Sequence, residues 1–287
     1  MTVKEALADA RRRLRATGVP TPEADAEWLL RHVLDCSRAQ LFLSSERELS
    51  EVDQQAVAAL VERRAGREPL QLLLGTVGFR ELILEVRPGV FVPRPETELL
   101  AGEAIARCPG GGLVVEPCTG SGAVACAVAH AVRSATVVAT DLDPAAVALA
   151  RANAARCKID VDVRQGDLLE PVPFARRGMV DVLVANPPYL AEGELAALDP
   201  EVTQWDPPGA LVAGPTGHEV TDRLISLAPA WLEAGGWLLL EVDEQRASEV
   251  ARRCVQAGLV EGSVLPDLAG RDRIVRARRP VLTRWSA

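Results

Sequence analysis

The residues with the clearest chemical potential form a four-residue stretch, Asn186-Pro187-Pro188-Tyr189. It follows an apolar run, residues 180–185, whose valines are typical of a β-strand. Two consecutive prolines cannot donate to a β-ladder and favour an extended residue before them, so the strand must end here. The turn therefore presents one amide and one aromatic ring on a stiff backbone. Open α/β sheets bind ligands beside such strand ends, although an ordinary strand exit explains a lone Asn-Pro-Pro equally well.

A second candidate site is the turn Cys118-Thr119-Gly120-Ser121-Gly122, which follows a predicted strand at 113–116 and opens a helix near Ala123. Glycines allow the backbone to turn tightly and to approach a ligand closely. The spacing differs from the dinucleotide pattern Gly-x-Gly-x-x-Gly, because position 125 is alanine. The turn is therefore interpreted either as a nucleotide-type site or as a plain glycine-rich connection.

Acidic residues follow the next two predicted strands. Asp141 ends the second strand, where a carboxylate can accept both hydroxyls of a ribose. Asp167 and Leu168 follow the third, and Asp167 either accepts from an adenine amino group or caps a turn. No lysine or arginine follows the glycine turn to bind a phosphate. A nucleoside without phosphates that carries a sulfonium therefore fits these acids better than a triphosphate.

The elements that position these residues alternate between strands and helices. Helical stretches of about a dozen residues separate the earlier strands, and this alternation predicts a mostly parallel sheet with helices on both faces. The predicted strands cover residues 113–116, 136–141, 161–164, 180–186, 237–242, 260–264 and 273–277.

Three segments are predicted along the chain. Residues 1–74 read as helices, with Thr21 and Pro22 at one helix start and Ser50 with Asp53 at another. Residues 75–92 read as a β-hairpin linker whose strands are broken by Arg87-Pro88-Gly89. Residues 93–287 form the α/β domain, which opens with Pro93-Arg94-Pro95-Glu96-Thr97-Glu98. By itself that motif is typical of a helix N-terminus.

Composition narrows the class of protein. The 287 residues are 48% hydrophobic and carry a formal charge of −8, which disfavours nucleic acid as the main partner. The six cysteines include no Cys-x-x-Cys pair, so neither zinc-ligand spacing nor a disulfide framework is indicated, and no metal is expected. No signal core opens the chain and no apolar run is long enough to span a membrane. We expect a cytoplasmic protein without a membrane partner.

Taken together and in order, these motifs resemble the class I S-adenosylmethionine methyltransferases, and more narrowly the HemK-type peptide chain release factor glutamine methyltransferases. The resemblance also covers Arg67 to Gln71, Asp206-Pro207 with Ala210-Leu211, and Gly270 to Val275. It implies a seven-stranded methyltransferase sheet joined by a β-hairpin to a small helical domain that docks the substrate.

The resemblance also implies roles for single residues. The cofactor would be held by Cys118, Thr119, Gly120, Ser121, Gly122, Asp141, Asp167, Leu168 and Asn186. Asn186, Pro187, Pro188 and Tyr189 would bind the accepting glutamine, with Asn186, Pro187 and Tyr189 as catalytic residues. Asn186 and the Pro187 carbonyl would accept from the target NH₂ while Tyr189 stacks on the amide plane.

Several positions depart from the family pattern. Glu116-Pro117-Cys118 stands where Asp-Leu-Gly is usual, Asp206-Pro207 stands for Glu-Pro, and Gln245 is displaced by one residue. A tail, residues 281–287, runs past the usual end. These changes bear on the methyl acceptor more than on the cofactor. A release factor is the expected partner, and a small-molecule amine or amide (an amino acid, a guanidine or a natural product) is the alternative.

Overall fold

The computed structural model describes residues 1–281, and the chain folds into two compact units. The first unit comprises residues 1–76 together with an inserted segment, Asp199–Trp205. The second comprises residues 77–198 and the chain from Asp206 onwards. Among the described residues, no helix has the length and apolar character needed to cross a membrane. Most of the predicted tail, residues 282–287, lies outside the described part of the chain.

The first unit is helical. Its helices are α1 (Val3–Ala16), α2 (Pro22–Leu34), α3 (Arg38–Leu43), α4 (Glu51–Ala65), α5 (Leu70–Leu74) and, from the inserted segment, α9 (Pro200–Trp205). Apolar side chains at helical spacing form one core around the fully buried Leu14, Leu29 and Leu30. Pro22 opens α2 as predicted, but the Thr21 hydroxyl donates to the Asp25 carboxylate instead of capping the backbone.

A buried arginine joins the inserted segment to these helices. Arg64 is 3% exposed, and its Nε donates to Asp25 Oδ2 at 2.7 Å. Its Nη1 donates to the Glu68 carbonyl oxygen at 2.9 Å, and its Nη2 donates to Glu201 Oε1 at 2.7 Å. Each guanidinium nitrogen therefore has an acceptor, which a buried cation requires. Arg67 adds a second ion pair, to Asp199 at 2.7 Å.

The second unit is built on a seven-stranded sheet. In chain order its elements are β1 (Thr76–Phe79), β2 (Leu82–Glu85), α6 (Thr97–Arg107), β3 (Gly112–Pro117), α7 (Ala123–Ala131), β4 (Ala135–Asp141), α8 (Pro144–Cys157), β5 (Asp162–Gln165), β6 (Val180–Ala185), β7 (Leu190–Ala191), α10 (Pro208–Leu211), β8 (Val212–Gly214), α11 (Glu219–Trp231), β9 (Leu232–Glu241), α12 (Ala247–Gln256), β10 (Val260–Pro266) and β11 (Asp272–Arg278). The strand order is β10-β11-β9-β6-β3-β4-β5; β11 pairs antiparallel with both β10 and β9, and the other neighbouring strands are parallel.

Both faces of this sheet are buried. Val114, Val182 and Leu239 pack into one apolar cluster with α6, α7 and α8. Val115 and Leu183 point to the other face, into a second cluster with α11 and α12. Covered faces explain the continuous apolar runs of the central strands. The carboxyl ends of β3, β4, β5, β6 and β9 consequently lie along one edge, where the candidate residues follow them.

The predicted fold class and all seven predicted sheet strands are confirmed, with bounds that differ by at most five residues. The hairpin differs in detail. Its turn lies at Arg80-Glu81, between β1 and β2, and Arg87-Pro88-Gly89 comes after the second strand. Residues 90–92 form no strand; Val90 instead packs on α8 against Ala146 and Leu149. A short parallel pair, β7 with β8, was not predicted.

Candidate active site

The glycine turn between β3 and α7 is packed on one side and open on the other. Cys118, Gly120 and Gly122 all have left-handed backbone angles, with φ of 58°, 56° and 79°. A Cβ on Gly122 would lie 3.0 Å from the Ala150 Cβ, so close packing on α8 needs glycine there. A Cβ on Gly120 would meet nothing within 4 Å. The open side is where a ligand can approach the backbone.

A buried carboxyl group supports the turn from beneath. Glu116 is 3% exposed, and its Oε2 accepts from Thr119 Oγ1 at 2.6 Å and from the Ala125 N–H at 2.9 Å. Burial raises the pKa of Glu116 to about 8, although these two hydrogen bonds act in the opposite direction. Glu116 is therefore mostly neutral near pH 7, and its hydrogen bonds stabilise the conformation of the turn.

The structure brings Asp141 to this turn, as the sequence predicted. Its Oδ2 accepts from the Gly120 N–H at 2.8 Å, and its Oδ1 accepts from the Asp143 N–H at 3.0 Å. Each carboxylate oxygen keeps a further lone pair with which it can accept from a ligand. Burial raises the pKa of Asp141, and the N–H donors oppose that rise. Asp143 caps α8 through the Ala145 N–H.

The two residues after β5 have different environments. Leu168 is buried with φ of 46°, and its carbonyl oxygen accepts from Thr140 Oγ1 at 2.5 Å. The Asp167 side chain forms an ion pair with Arg223 at 2.6 Å, a contact that neither sequence interpretation of Asp167 included. Leu142, directly after Asp141, is 69% exposed and offers apolar surface at this edge. Leu142 was not among the predicted site residues, although its place directly after Asp141 could have pointed to it.

The Asn186–Tyr189 turn leaves β6 beside the end of β9. Ala185 pairs with Leu240, which places Asn186 next to Glu241 along the parallel strands. The Asn186 Nδ2 lies 3.4 Å from Thr97 Oγ1. The Tyr189 N–H donates to the Leu211 carbonyl oxygen at 3.2 Å. Among residues 1–281, no hydrogen bond engages the Pro187 carbonyl oxygen.

A glycine that sequence reasoning missed packs behind this turn. Gly217 has φ of 80°, and a Cβ there would lie 2.8 Å from the Tyr189 carbonyl oxygen and 2.9 Å from the Ala191 nitrogen. Only a glycine allows an approach this close. The stiff turn is thus held by neighbours from residues 211 and 217 as well as by its own prolines. A Thr-Gly pair in a loop gives little sequence signal for this role.

Tyr189 is a neutral ring at this site. Burial, and next the nearby Glu241 carboxyl group, raise the pKa of the Tyr189 hydroxyl to about 12. The phenol therefore keeps its proton across the physiological range and does not act as a base. What Tyr189 offers a ligand is an aromatic face on a fixed backbone.

The segment Pro93–Glu98 links three separate motifs. Arg94 pairs with the buried carboxylate of Asp206, and Glu96 pairs with Arg271 at 2.9 Å. Thr97, the first residue of α6, contacts Asn186. The segment is therefore a helix start, as its residues alone predict. It also contacts three motifs that are distant in the chain, which its sequence pattern did not predict.

Comparison with known proteins identifies the family. The model of the PrmC N-terminal domain matches residues 5–75, and that of the methyltransferase small domain matches residues 86–201. The release factor glutamine methyltransferase of Mycolicibacterium smegmatis is 41% identical over 96% of this chain and 98% of its own length. That of Deinococcus radiodurans is 41% identical over 97% and 99%. The chain belongs to the release factor glutamine methyltransferase family.

A solved structure agrees at the level of the fold. The T. thermophilus 16S rRNA N2 G1207 methyltransferase, in complex with AdoMet and guanosine, superposes with a TM-score of 0.53 at 18% identity. The match covers 71% of this chain and 49% of that one. Membership of the glutamine methyltransferase family confirms the predicted class of enzyme, a methyltransferase that uses S-adenosylmethionine.

The residues at this edge fit that cofactor. The carboxyl groups of Asp141 and Asp167 add to the effect of burial in raising the pKa of the Cys118 thiol, and Arg223 acts against them, so the turn lies in a negative field. Such a field suits a ligand that carries a sulfonium and no phosphate. Among residues 1–281, no group of three or more histidine, cysteine, aspartate or glutamate side chains could hold a metal ion.

Proposed function

We propose that this enzyme methylates the side-chain amide nitrogen of a glutamine in a peptide chain release factor. The observation that carries the proposal is the Asn186–Tyr189 turn at the sheet edge, where an amide, a backbone carbonyl and an aromatic ring are held on a rigid backbone. These three groups are complementary to a planar NH₂ group. Curated relatives that carry this name align with nearly the whole chain.

The amide nitrogen of a glutamine is a poor nucleophile because its lone pair is delocalised into the carbonyl group. The Asn186 Oδ1 and the Pro187 carbonyl oxygen accept from its two N–H groups and fix its orientation. Tyr189 packs on the amide plane, and with Pro188 it closes the acceptor site. Orientation of this kind lowers a barrier by up to ~7–11 kcal/mol in the best intramolecular cases.

Bound S-adenosylmethionine supplies an electrophilic methyl group. The backbone of Cys118, Thr119, Gly120, Ser121 and Gly122, with the carboxylate of Asp141, would hold the cofactor at the open side of the glycine turn. Asp167 and Leu168 would hold its base, and Asn186 would contact both the cofactor and the acceptor. No strong base is needed, because the amide proton becomes acidic as the nitrogen is methylated and then leaves to solvent.

The helical unit, residues 1–76 with Asp199–Trp205, is assigned to substrate docking. It contains none of the groups that face the reaction, and it exposes apolar side chains: Phe42 is 81% and Leu43 is 84% exposed. A protein substrate needs such a surface, whereas a small amine does not. A release factor acts in translation, so we place the enzyme in the cytoplasm, with no membrane or direct nucleic-acid partner.

The test is a labelled-methyl transfer screen with the full-length enzyme. It compares release factors with free amino acids, guanidines and other small amines, and mass spectrometry locates the methyl group. We expect transfer to a glutamine side chain of a release factor, and none with the Asn186→Ala control. Methylation of a small amine without any methylation of a release factor would overturn the proposal and favour the small-molecule alternative.

A further inference from the structure

A buried carboxyl group next to the acceptor turn has no role in the chemistry described so far. Glu241 ends β9 and is 2% exposed. Its strand neighbour is Asn186, and the polar groups of Thr97 and Asn186 both favour its ionised form. Its Oε2 has no partner among residues 1–281. A buried carboxyl group that is only partly satisfied is costly, so its retention beside a reacting turn calls for a reason.

The Asn186 amide has two possible orientations that differ by a half-turn. One presents Oδ1 to the acceptor and the other presents Nδ2. Only the first can accept from a target NH₂, because the second sets donor against donor. The shape of the side chain does not distinguish them, so the hydrogen-bond partners on the inner side must do so.

Thr97 and Glu241 together supply that distinction. An ionised carboxylate can only accept, so we infer that the Thr97 hydroxyl directs its proton to Glu241. The lone pairs of Thr97 Oγ1 are then left for Asn186, whose Nδ2 lies 3.4 Å away. The direction of donation runs from Asn186 to Thr97 to Glu241. In this arrangement Nδ2 faces inward and Oδ1 faces the site.

We propose that Thr97 and Glu241 are positioning residues that hold the Asn186 amide with its oxygen directed at the methyl acceptor. The inference rests on the proposed function, since it concerns an acceptor that donates N–H groups. It applies to any planar NH₂ target and not to glutamine alone.

Asn186, Thr97 and Glu241 form a hydrogen-bond relay. The protonation state of Glu241 sets the direction in which its members donate. Burial raises the pKa of Glu241 to about 7, with Thr97, Arg273 and Asn186 acting against the rise and Glu96 acting with it. The other titratable neighbour, Tyr189, stays neutral because its pKa is about 12. A protonated Glu241 can donate to Thr97, which turns the hydroxyl proton towards Asn186 and favours the reversed amide. Turnover should therefore fall as pH drops below about 7.

The first test compares Thr97→Val with Thr97→Ser. Valine keeps the shape and removes the hydroxyl, whereas serine keeps the hydroxyl. We expect Thr97→Val to lower kcat about tenfold with unchanged cofactor affinity, and Thr97→Ser to restore most of the rate. Wild-type kcat in Thr97→Val, or equal losses in both variants, would overturn the proposal, because equal losses indicate packing alone.

The second test covers the case in which Thr97→Val does not fold. The kcat of the wild type is measured against pH beside that of Glu241→Gln, which cannot ionise. We expect an inflection near pH 7 in the wild type and its absence in Glu241→Gln. An inflection that persists in Glu241→Gln would refute the relay. If the wild type methylates a small amine but no release factor, the proposed function fails, and both comparisons still test the relay on that amine.

Discussion

The two sides of the site are assembled in different ways. On the cofactor side, residues 118–122 and Asp141, the site is formed by the backbone of one turn and by one carboxylate, which follow neighbouring strands. On the acceptor side, the Asn186–Tyr189 turn depends on side chains remote in the chain; Thr97 and Asn186 are 89 residues apart. A backbone cradle tolerates changes of side chain, whereas a relay of side chains does not. Substitutions on the cofactor side should therefore weaken cofactor binding, whereas substitutions on the acceptor side should abolish turnover.

The strongest test of this contrast is Asn186→Ala. We expect kcat to fall about a hundredfold or more, the size typical of losing one group that orients the reacting atoms. Cofactor affinity, measured by calorimetry, should stay within a few-fold. Equal losses of rate and cofactor affinity would mean that Asn186 belongs to the cofactor side.

Gly217→Ala tests whether the backbone of the acceptor turn must keep its position. The added Cβ would lie 2.8 Å from the Tyr189 carbonyl oxygen, so the turn must shift. We expect kcat to fall about tenfold or more, as misplacement of a reacting group does. The matched control is Gly89→Ala, which has a similar φ of 85° but no atom within 4 Å of the new Cβ. Similar kcat in the two variants would show that the contact behind the turn is unimportant.

Asp141→Ala addresses the cofactor side. Removing this carboxylate should weaken cofactor binding by roughly 1–3 kcal/mol, the cost of leaving polar partners unsatisfied. At saturating cofactor, kcat should change less than in Asn186→Ala. Asp143→Ala is the control, because it removes a helix cap at the same loop and should lower stability without lowering affinity. Unchanged affinity in Asp141→Ala would refute the assignment.

Near neutral pH, Glu116→Gln should have the smallest effect of these substitutions on kcat and cofactor affinity. The folded-state pKa of Glu116, about 8, lies above the ordinary value of 4.5, so the stability it contributes is present below about pH 4.5 and lost as pH rises through 8. Thermal unfolding should show the variant gaining on the wild type between about pH 4.5 and pH 8, by roughly 1.4 kcal/mol per pH unit. A pH-independent difference between them would indicate that Glu116 is ionised in the fold.

The sequence predicted those features whose residues lie close together in the chain. The glycine turn, Asp141 and the Asn-Pro-Pro-Tyr turn each occupy a few adjacent residues at a strand end, and the parallel sheet brings strand ends to one edge. The roles of Thr97, Glu241 and Gly217 arise only from packing between distant segments. Thr97 was hidden within a helix start, and Glu241 within an apolar strand. The family resemblance gave the order of the motifs along the chain but not the contacts between them.

The inserted segment was beyond prediction for the same reason. Its anchoring depends on Arg64, which the sequence places in an ordinary amphipathic helix, and on Glu201, 137 residues later. Neither residue has a local pattern that marks it as a partner of the other. Periodicity indicated helices in residues 1–74 but predicted neither α9 nor its place in the first unit.

That segment has a consequence for dividing the protein. The chain crosses between the two units three times, after residues 76, 198 and 205. A truncation that removes only the first 74 residues would deprive Glu201 and Asp199 of their arginine partners and leave α9 without the helices it belongs with. The helical unit is consequently not a detachable module. A chimera that exchanges it for that of a relative should fold only when residues 199–205 are exchanged with it.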